Sequence, residues 1–444
     1  MIIIVYAEQN KDTIERSLGT SEYSYYFVLK EFLPILKTLG IVVTVRNPES
    51  EVDAIFNICE HLGEHCIFLS FTPPHKTQVN LKCPTVPVFA WEFYEIPSET
   101  WSDDPRNNWR FVLAKLGYAV IHSDFAAKVV RRHMGSDFPI ASIPAPVWDR
   151  FAAKCSGCSP LPDISGFELE LDGPITDSRA FSFGLPDSWV MPKSLSSETT
   201  FELNLEELVP FQRKHSNGPS RVRLDGVIYT SILNPDDGRK NWHDIINAFC
   251  WAFRDHEDAT LVLKFVRSYH PNARIKLIDD LSKLSPFKCR VVAFHGFFTD
   301  DDYEKLAQGS FYAVNASHGE GQCLPLMEYM SCGKPAIAPC HTGMESYIDS
   351  RNAFLVNSSL EPAAWPHDPR LKYRTMRHRI DFESLVESFK ESYRVAKEEP
   401  ERYKAMSKNA TQRLRSHCSQ AIVKKKLQSF LSRQDKGRRS ASHG

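Results

Sequence analysis

Short apolar runs rich in β-branched residues, each followed by a stretch long enough for a crossover helix, recur in two separate parts of this chain. A strand that is apolar along its whole length has to be covered on both faces. Parallel strands also need long connections, so this rhythm points to doubly covered parallel sheets. In the first part, strands are expected at 2–6, 41–45, 54–58, 66–71, 86–90 and 118–121, with a helix over 25–39 carrying Phe27, Val28, Phe32, Ile35, Leu36 and Leu39 at helical spacing. A second helix, over 124–133, has Ser123 as its capping residue. The rhythm returns with strands at 227–231, 260–265, 289–294, 313–315 and 335–338, alternating with helices at 242–253, 273–284, 301–308 and 324–331. Between the two parts, 139–221 is rich in proline, glycine and serine, with one alternating piece at 167–171. The chain closes in polar helical segments at 381–398 and 400–417, with a further helix to about 431.

A length of 444 residues exceeds one ordinary domain and suits two, each with its own core. The expected division is an N-terminal α/β domain over 1–150, a linker or inserted region over 151–221, a second α/β domain over 222–378, bridging helices over 379–431 and a basic flexible tail over 432–444. The fold class is therefore α/β, in two domains of the same class. A net charge of −1 leaves no broad basic field, so no nucleic-acid partner is expected. The opening Met1-Ile2-Ile3-Ile4-Val5-Tyr6-Ala7 has no basic lead and is cut short by Glu8, which reads as a first strand rather than a signal peptide or a span. Eleven cysteines, scattered mostly through apolar runs, suit a reducing cytosol. Cys155 and Cys158 form a CxxC without a matching second pair, and a loop is the expected reading there rather than zinc.

The chemistry-bearing residues concentrate at Ser317-His318-Gly319-Glu320-Gly321-Gln322-Cys323-Leu324-Pro325-Leu326-Met327-Glu328. Two acids eight apart would stand on nearly the same side of one helix. Gly319 and Gly321 would let a ligand approach the backbone, and the helix beginning near Leu324 would offer unpaired N–H groups to an anion such as a diphosphate. Upstream, Arg239 and Lys240 follow the turn Asn234-Pro235-Asp236-Asp237-Gly238, and Lys264 lies in the apolar strand Leu261-Val262-Leu263-Lys264-Phe265. Singly, each is an ordinary surface charge. At the carboxyl ends of strands in an open α/β sheet, where ligands bind, they become a diphosphate clamp. Asp300-Asp301-Asp302 precede a helix and read as its N-terminal cap, so no metal ligand is assigned.

The run from Glu320 to Glu328, followed by Tyr329-Met330-Ser331-Cys332-Gly333-Lys334-Pro335, resembles the paired-glutamate (E-x7-E) segment of the retaining GT-B glycosyltransferases, in particular family 4. The resemblance extends to Phe294-His295-Gly296-Phe297 and to the Arg239-Lys240 and Lys264 segments, covering about 222–360. It implies the GT-B fold, two facing Rossmann-like α/β domains with an interdomain cleft, together with a nucleotide-sugar donor and no cofactor or metal. By residue, it implies that Glu320 faces the donor sugar, that Glu328 holds the ribose and that Arg239 and Lys264 bind the diphosphate, with Lys240 as a second clamp. His295, Gly296, Gly321, Gln322, Cys323 and Leu324 would complete the donor side. On the acceptor side, Glu92 in Trp91-Glu92-Phe93-Tyr94-Glu95-Ile96-Pro97 follows a strand end among aromatic side chains; a packed loop is the other reading. His122 closes the next strand. Where more typical relatives carry a histidine this chain has Trp91-Glu92, and that departure leaves the acceptor-side chemistry open. Gly19 would bring the first strand-helix loop to the donor phosphates, or serve a plain turn. The implied activity is retaining transfer of a sugar to a glycan or lipid-linked acceptor, in bacterial polysaccharide synthesis; the alternative is a non-catalytic carbohydrate-binding or structural protein of the same fold. Lys424, Lys425, Lys426, Arg433, Lys436, Arg438 and Arg439, interleaved with Leu427, Phe430 and Leu431, suggest either peripheral contact with an anionic membrane, at the inner face of the cytoplasmic membrane, or a solubilising tail on a cytoplasmic protein.

Overall fold

The computed structural model describes residues 1–157, 159–171, 173–180, 220–266, 271–296 and 298–441, with side chains as far as 433 except at 271. The first domain runs β1 (Ile2–Ala7), α1 (Ile14–Ser17), α2 (Ser24–Leu39), β2 (Ile41–Thr44), α3 (Pro48–His61), β3 (Cys66–Phe71), β4 (Thr85–Phe89), α4 (Trp109–Leu116), β5 (Ala119–Ile121), α5 (Asp124–Met134), β6 (Ile140–Ser142) and α6 (Trp148–Lys154). Its six strands are parallel, in the order β2-β1-β3-β4-β5-β6. Strand alternation sends Ile3 and Val5 to the face that α2 covers with Val28, Phe32 and Leu36, and Ile4 to the face that α3 covers with Val52 and Cys59. The Ser123 hydroxyl caps α5, accepting from the Ala126 N–H at 3.2 Å.

The strand expected at 54–58 is instead the middle of α3. Asn47 caps the helix through the Glu49 N–H, Pro48 occupies the first turn and Glu49 and Glu51 complement its dipole. Only Val52 and Cys59, seven residues apart, are buried, and Ile58 is 61% exposed. The local apolar run belongs to one helical stripe, and the cap outweighs its β-branched residues.

In the middle region, β7 (Phe167–Leu171) pairs antiparallel with β9 (Ser220–Leu224), and β8 (Ile175–Asp177) joins the second sheet. Cys158 and 181–219 lie outside the described residues. The second domain contains β10 (Val227–Leu233), α7 (Trp242–Ala252), β11 (Ala259–Phe265), α8 (Pro271–Leu284), β12 (Arg290–His295), α9 (Asp300–Gly309), β13 (Tyr312–Val314), α10 (Leu324–Ser331), β14 (Ala336–Ala338) and β15 (Ala353–Leu355). The sheet order is β15-β14-β13-β10-β11-β12-β8, parallel except for β8. Buried Arg290 holds that edge strand through Asp177 at 2.7 Å. A hairpin follows, β16 (Ser358–Ala364) and β17 (Tyr373–Ile380), and then α11 (Phe382–Glu398), α12 (Pro400–Cys418) and α13 (Gln420–Ala441).

The hairpin, absent from the sequence reading, grips the first domain. Trp365 Nε1 donates to the Glu95 carbonyl at 3.0 Å, the Glu95 N–H donates to Thr375 Oγ1 at 3.0 Å, and Arg370 and Arg374 both pair with Glu99. From the other side, α10 packs on α6 and α12, and α13 returns to the first domain. Leu427, Phe430 and Leu431 are 3%, 6% and 7% exposed, with Phe430 edge-on to Tyr118. These apolar side chains therefore serve the protein core and are not free to enter a bilayer, which corrects that part of the membrane expectation. Among the described residues no helix is long and apolar enough to cross a membrane.

Candidate functional site

The loop after β10 is shaped by two side-chain acceptors, Asn234 for the Asp236 N–H and Asp237 for the Arg239 N–H, and by Asn241 in the left-handed region at φ 51°. It turns Arg239 and Lys240 toward the loop that links β13 to α10. There Glu320 is 3% exposed. Its Oε1 pairs with Lys240 Nζ at 2.7 Å and accepts from Ser317 Oγ at 2.7 Å and Asn315 Nδ2 at 3.2 Å. Its Oε2 lies 3.5 Å from Arg239 Nη1, which also donates to the Gly319 carbonyl at 2.6 Å. Thr342 fixes the main chain by accepting the Glu320 N–H at 3.0 Å.

Burial pushes the Glu320 carboxyl up, but Lys240, Arg239 and the Ser317 hydroxyl outweigh it and hold the group down to about 2. Against the effect of burial, Glu320 raises Lys240 above its ordinary value, and Glu92, followed by Asp237 and Glu320, raises Arg239. Across the domain boundary Glu92 reaches Arg239 Nε at 3.3 Å, and Asp237 Oδ2 lies 2.9 Å from Arg239 Nη2. Burial raises the Glu92 carboxyl, with Arg239 opposing. Two cations thus face three carboxylates drawn from both domains.

Glu320 and Glu328 do not share a helix face. The helix begins only at Leu324, after Cys323 takes the left-handed conformation at φ 56°, so Glu320 stands in the preceding loop. Glu328, inside α10, accepts a short hydrogen bond from the Tyr303 hydroxyl and lies by a different charge cluster, where Arg150 joins Glu31 at 2.8 Å to Asp300 at 3.0 Å. Burial lifts Glu328 to about 7 against the Tyr303 bond, and nearby Glu31 adds to the rise. A carboxyl raised on folding binds its proton more tightly folded than unfolded. Its contribution is therefore fullest below the ordinary 4.5 and is lost as pH climbs toward about 7. Glu328→Gln is expected to flatten the decline in urea-unfolding free energy between those pH values; an unchanged slope would assign the decline to other groups.

The glycines admit protein rather than open space. A Cβ on Gly319 would stand 2.9 Å from the Glu92 carbonyl oxygen, and one on Gly321 would stand 2.6 Å from the Ala90 side chain. Gln322 Oε1 accepts from the Ala145 N–H at 3.0 Å, and the Cys323 sulfur accepts from Asn315 at 3.3 Å. Gly19, at φ 79°, presents its carbonyl to Asn234 Nδ2 at 2.9 Å, another cross-domain contact. A concavity of about 730 Å³ opens beside this loop, lined by Asn241, Asp244, Trp251, His318 and Arg377 among others.

Lys264, at the end of β11, donates to the Gly296 carbonyl at 2.5 Å and lies over the Phe298 ring, making no ion pair with the Glu320 cluster among the described residues. Burial lowers it to about 7. His295, beside it, is lowered to about 4 by burial, with Arg274 and Lys264 adding to the effect. Asp300, Asp301 and Asp302 fill the first turn of α9, but the capping oxygen is that of Thr299, which accepts the Asp302 N–H at 3.2 Å.

On the opposite domain, Glu92 reaches the site while its aromatic neighbours do not. Trp91 and Phe93 are 2% and 5% exposed, with Trp91 packed 4.5 Å from Trp109, so these rings belong to the core rather than to a sugar platform. His122 is likewise buried, with Nδ1 on the Ile143 carbonyl at 3.0 Å. Sequence reasoning gave no role to Asn315, Asp237 or Thr342 around Glu320, and it included Ser317 in the chemistry-bearing run without assigning its contact. Polar Asn315 at the end of an apolar strand was the available signal.

Residues 226–366 match the model of a family described as Glycosyl transferases group 1, so this stretch is similar to sugar transferases of that family. No curated protein sequence is a significant relative of the chain. Among solved structures, a glycosyltransferase from Rickettsia africae aligns at 15% identity over 97% of this chain and 97% of its own, with TM-score 0.54. A sucrose-phosphate synthase from Thermosynechococcus elongatus aligns at 12% identity over 98% and 99%, with TM-score 0.55. Anabaena Alr3699/HepE, in complex with UDP and glucose, aligns at 11% over 97% and 99%, with TM-score 0.51. The architecture is thus the GT-B fold, two facing Rossmann-like domains.

Proposed function

We propose that this protein is a retaining glycosyltransferase that moves a sugar from a nucleoside-diphosphate sugar to a hydroxyl of a glycan or lipid-linked acceptor. The observation that carries the reading is Glu320, a buried carboxylate kept ionised by Lys240 and Arg239 at the carboxyl ends of β10 and β13 and met across the boundary by Glu92. The similarity of 226–366 to group 1 sugar transferases supports it, as does the glucose and UDP held by the Anabaena protein of the same fold.

In this reading Glu320 accepts hydrogen bonds from donor-sugar hydroxyls, Arg239, Lys240 and Lys264 hold the diphosphate, and Glu328 holds the ribose. The donor's anomeric carbon–oxygen bond breaks toward the β-phosphate. The acceptor oxygen then bonds to that carbon from the same face, and its proton passes to the departing phosphate oxygen. Charge grows on the phosphate as the bond breaks, so fixed cations stabilise the transition state more than the ground state. Arg239 is already occupied by Glu92, so a phosphate enters by replacing one anion with another, which requires the Glu92 segment to withdraw.

A non-catalytic carbohydrate-binding protein is the second reading, and the neutralisation of Arg239 by Glu92 and Asp237 favours it. Incubating the protein with UDP- and GDP-sugars, with and without saccharide acceptors, separates the two. Release of nucleoside diphosphate matched by a product with the donor's anomeric configuration is expected. Saccharide binding without any turnover would transfer the case to the second reading.

A further inference from the structure

We propose that Glu22, His75 and His367 form a binding site for a divalent, zinc-like ion that fastens the β16–β17 hairpin to the first domain. One ligand atom from each of the three residues lies within 4.8 Å of the others. They come from three distant segments: the loop before α2, the turn Pro74–Lys76 after β3, and the connection between β16 and β17. Convergence of this kind is a product of the fold, and no spacing in the sequence announces it.

Several details fit a ligand set better than a packed polar cluster. Nδ1 of His75 is buried and has no hydrogen-bond partner among the described residues, a condition native structures rarely leave unexplained. Its ring is stacked on Trp109, with an interplanar angle of 15°, and lies 4.6 Å from the His367 ring, so its direction is set. Glu22 holds the left-handed conformation at φ 60°, uncommon for a glutamate, and only 6% of its side chain is exposed. Its Oε2 accepts from Lys76 Nζ at 2.6 Å, which leaves Oε1 toward His367 Nδ1, 3.9 Å away and too far for a hydrogen bond.

The surrounding charges tolerate a cation. Lys76 is shared between Glu22 and Glu8, and Arg106 pairs with Asp104 at 2.8 Å, so two cations face three carboxylates. Zinc takes imidazole in its neutral form, so binding should strengthen as pH rises through the imidazole range. A tetrahedral ion with bonds of about 2.0–2.1 Å would want its ligand atoms about 3.4 Å apart, so the side chains need to close by no more than roughly 1.4 Å. Two imidazoles and one carboxylate suit zinc rather than magnesium or calcium, with a coordination position left for water. Lys76 on the second carboxylate oxygen would keep Glu22 monodentate, an outer contact that orients the ligand.

The test uses the full chain, stripped with a chelator and dialysed. Calorimetric titration with Zn2+ should show a site of one ion per chain that raises the thermal unfolding temperature, since the ion ties two domains together. His75→Ala and His367→Ala should each abolish it, and the isosteric Glu22→Gln should weaken it at least tenfold, with circular dichroism confirming that the variants are folded. Titration with Co2+ should give visible absorption without a thiolate charge-transfer band. The proposal is overturned if the parent binds no Zn2+, if folded Glu22→Gln and His367→Ala bind as the parent does, or if a thiolate band places the ion on cysteine.

Discussion

Replacing Glu320 by glutamine is expected to lower the rate of sugar transfer by about 10²–10³, the loss typical of removing one positioned electrostatic group from an enclosed site. The substitution keeps the side chain's shape and its hydrogen bonds to Ser317 and Asn315 but removes the charge that Lys240 and Arg239 face. Glu320→Ala, which removes those bonds as well, should abolish transfer. Stability should also fall, because breaking a buried ion pair from one side commonly costs about 3–5 kcal/mol, although unfolding should stay cooperative. The pH dependence provides a second check. A carboxyl depressed on folding contributes stability above its ordinary 4.5, and that contribution is lost as pH falls toward about 2. The glutamine variant should therefore lose less stability than the parent on acidification. Turnover near that of the parent in a folded Glu320→Ala protein would remove Glu320 from the chemistry.

Lys264 should make nucleotide binding strongly pH dependent. Burial holds the free amine at about 7, so near neutrality it is roughly half protonated, and a diphosphate beside it would draw in the missing proton. Binding of UDP or GDP at pH 7 should then be accompanied by uptake of about half a proton, read from calorimetry in buffers of different ionisation enthalpy. Affinity should fall about 100-fold between pH 6 and pH 9, the consequence of two pH units above the free pKa. Lys264→Ala should weaken binding by more than about tenfold and abolish the proton uptake. Stability changes with pH in the same direction as in the Glu320 case, because both groups are lowered on folding, and opposite to Glu328, which is raised. A lysine lowered on folding costs stability below about 7, and the protein regains it as pH rises toward the ordinary 10.5. Equal affinity in the alanine variant, or binding without proton uptake, would leave Lys264 as the structural anchor of the Gly296 carbonyl.

The alternation of buried strands and amphipathic helices was readable because each element's apolar period survives in a single segment. Helix α10 was expected at 324–331 and runs over those residues, and Ser123 caps α5 as its position suggested. At 54–58 the reading failed because five residues were judged without the Asn47-Pro48 cap that precedes them. Strand β8 was invisible for a different reason. Three residues carry no usable period, and they form a strand only because β12 offers them an edge and Arg290 offers Asp177 a partner.

The residues at the candidate site follow the same division. Their types and order within the loops were visible along the chain, since a glycine-flanked acid before a helix and paired cations after a strand are local patterns. What those side chains face was not visible, because it depends on contacts between residues far apart in sequence. Folding separates Glu320 from Glu328 by placing one before the helix and the other within it, leaves Lys264 on a carbonyl rather than beside Arg239, and brings Glu92 from the other domain onto that arginine. It also assembles Glu22, His75 and His367 from segments up to 345 positions apart, counted from 22 to 367. Local sequence specifies backbone period and capping through interactions a few residues long. The partners of a buried charge are set by whichever distant loops the packed sheets bring to their carboxyl ends.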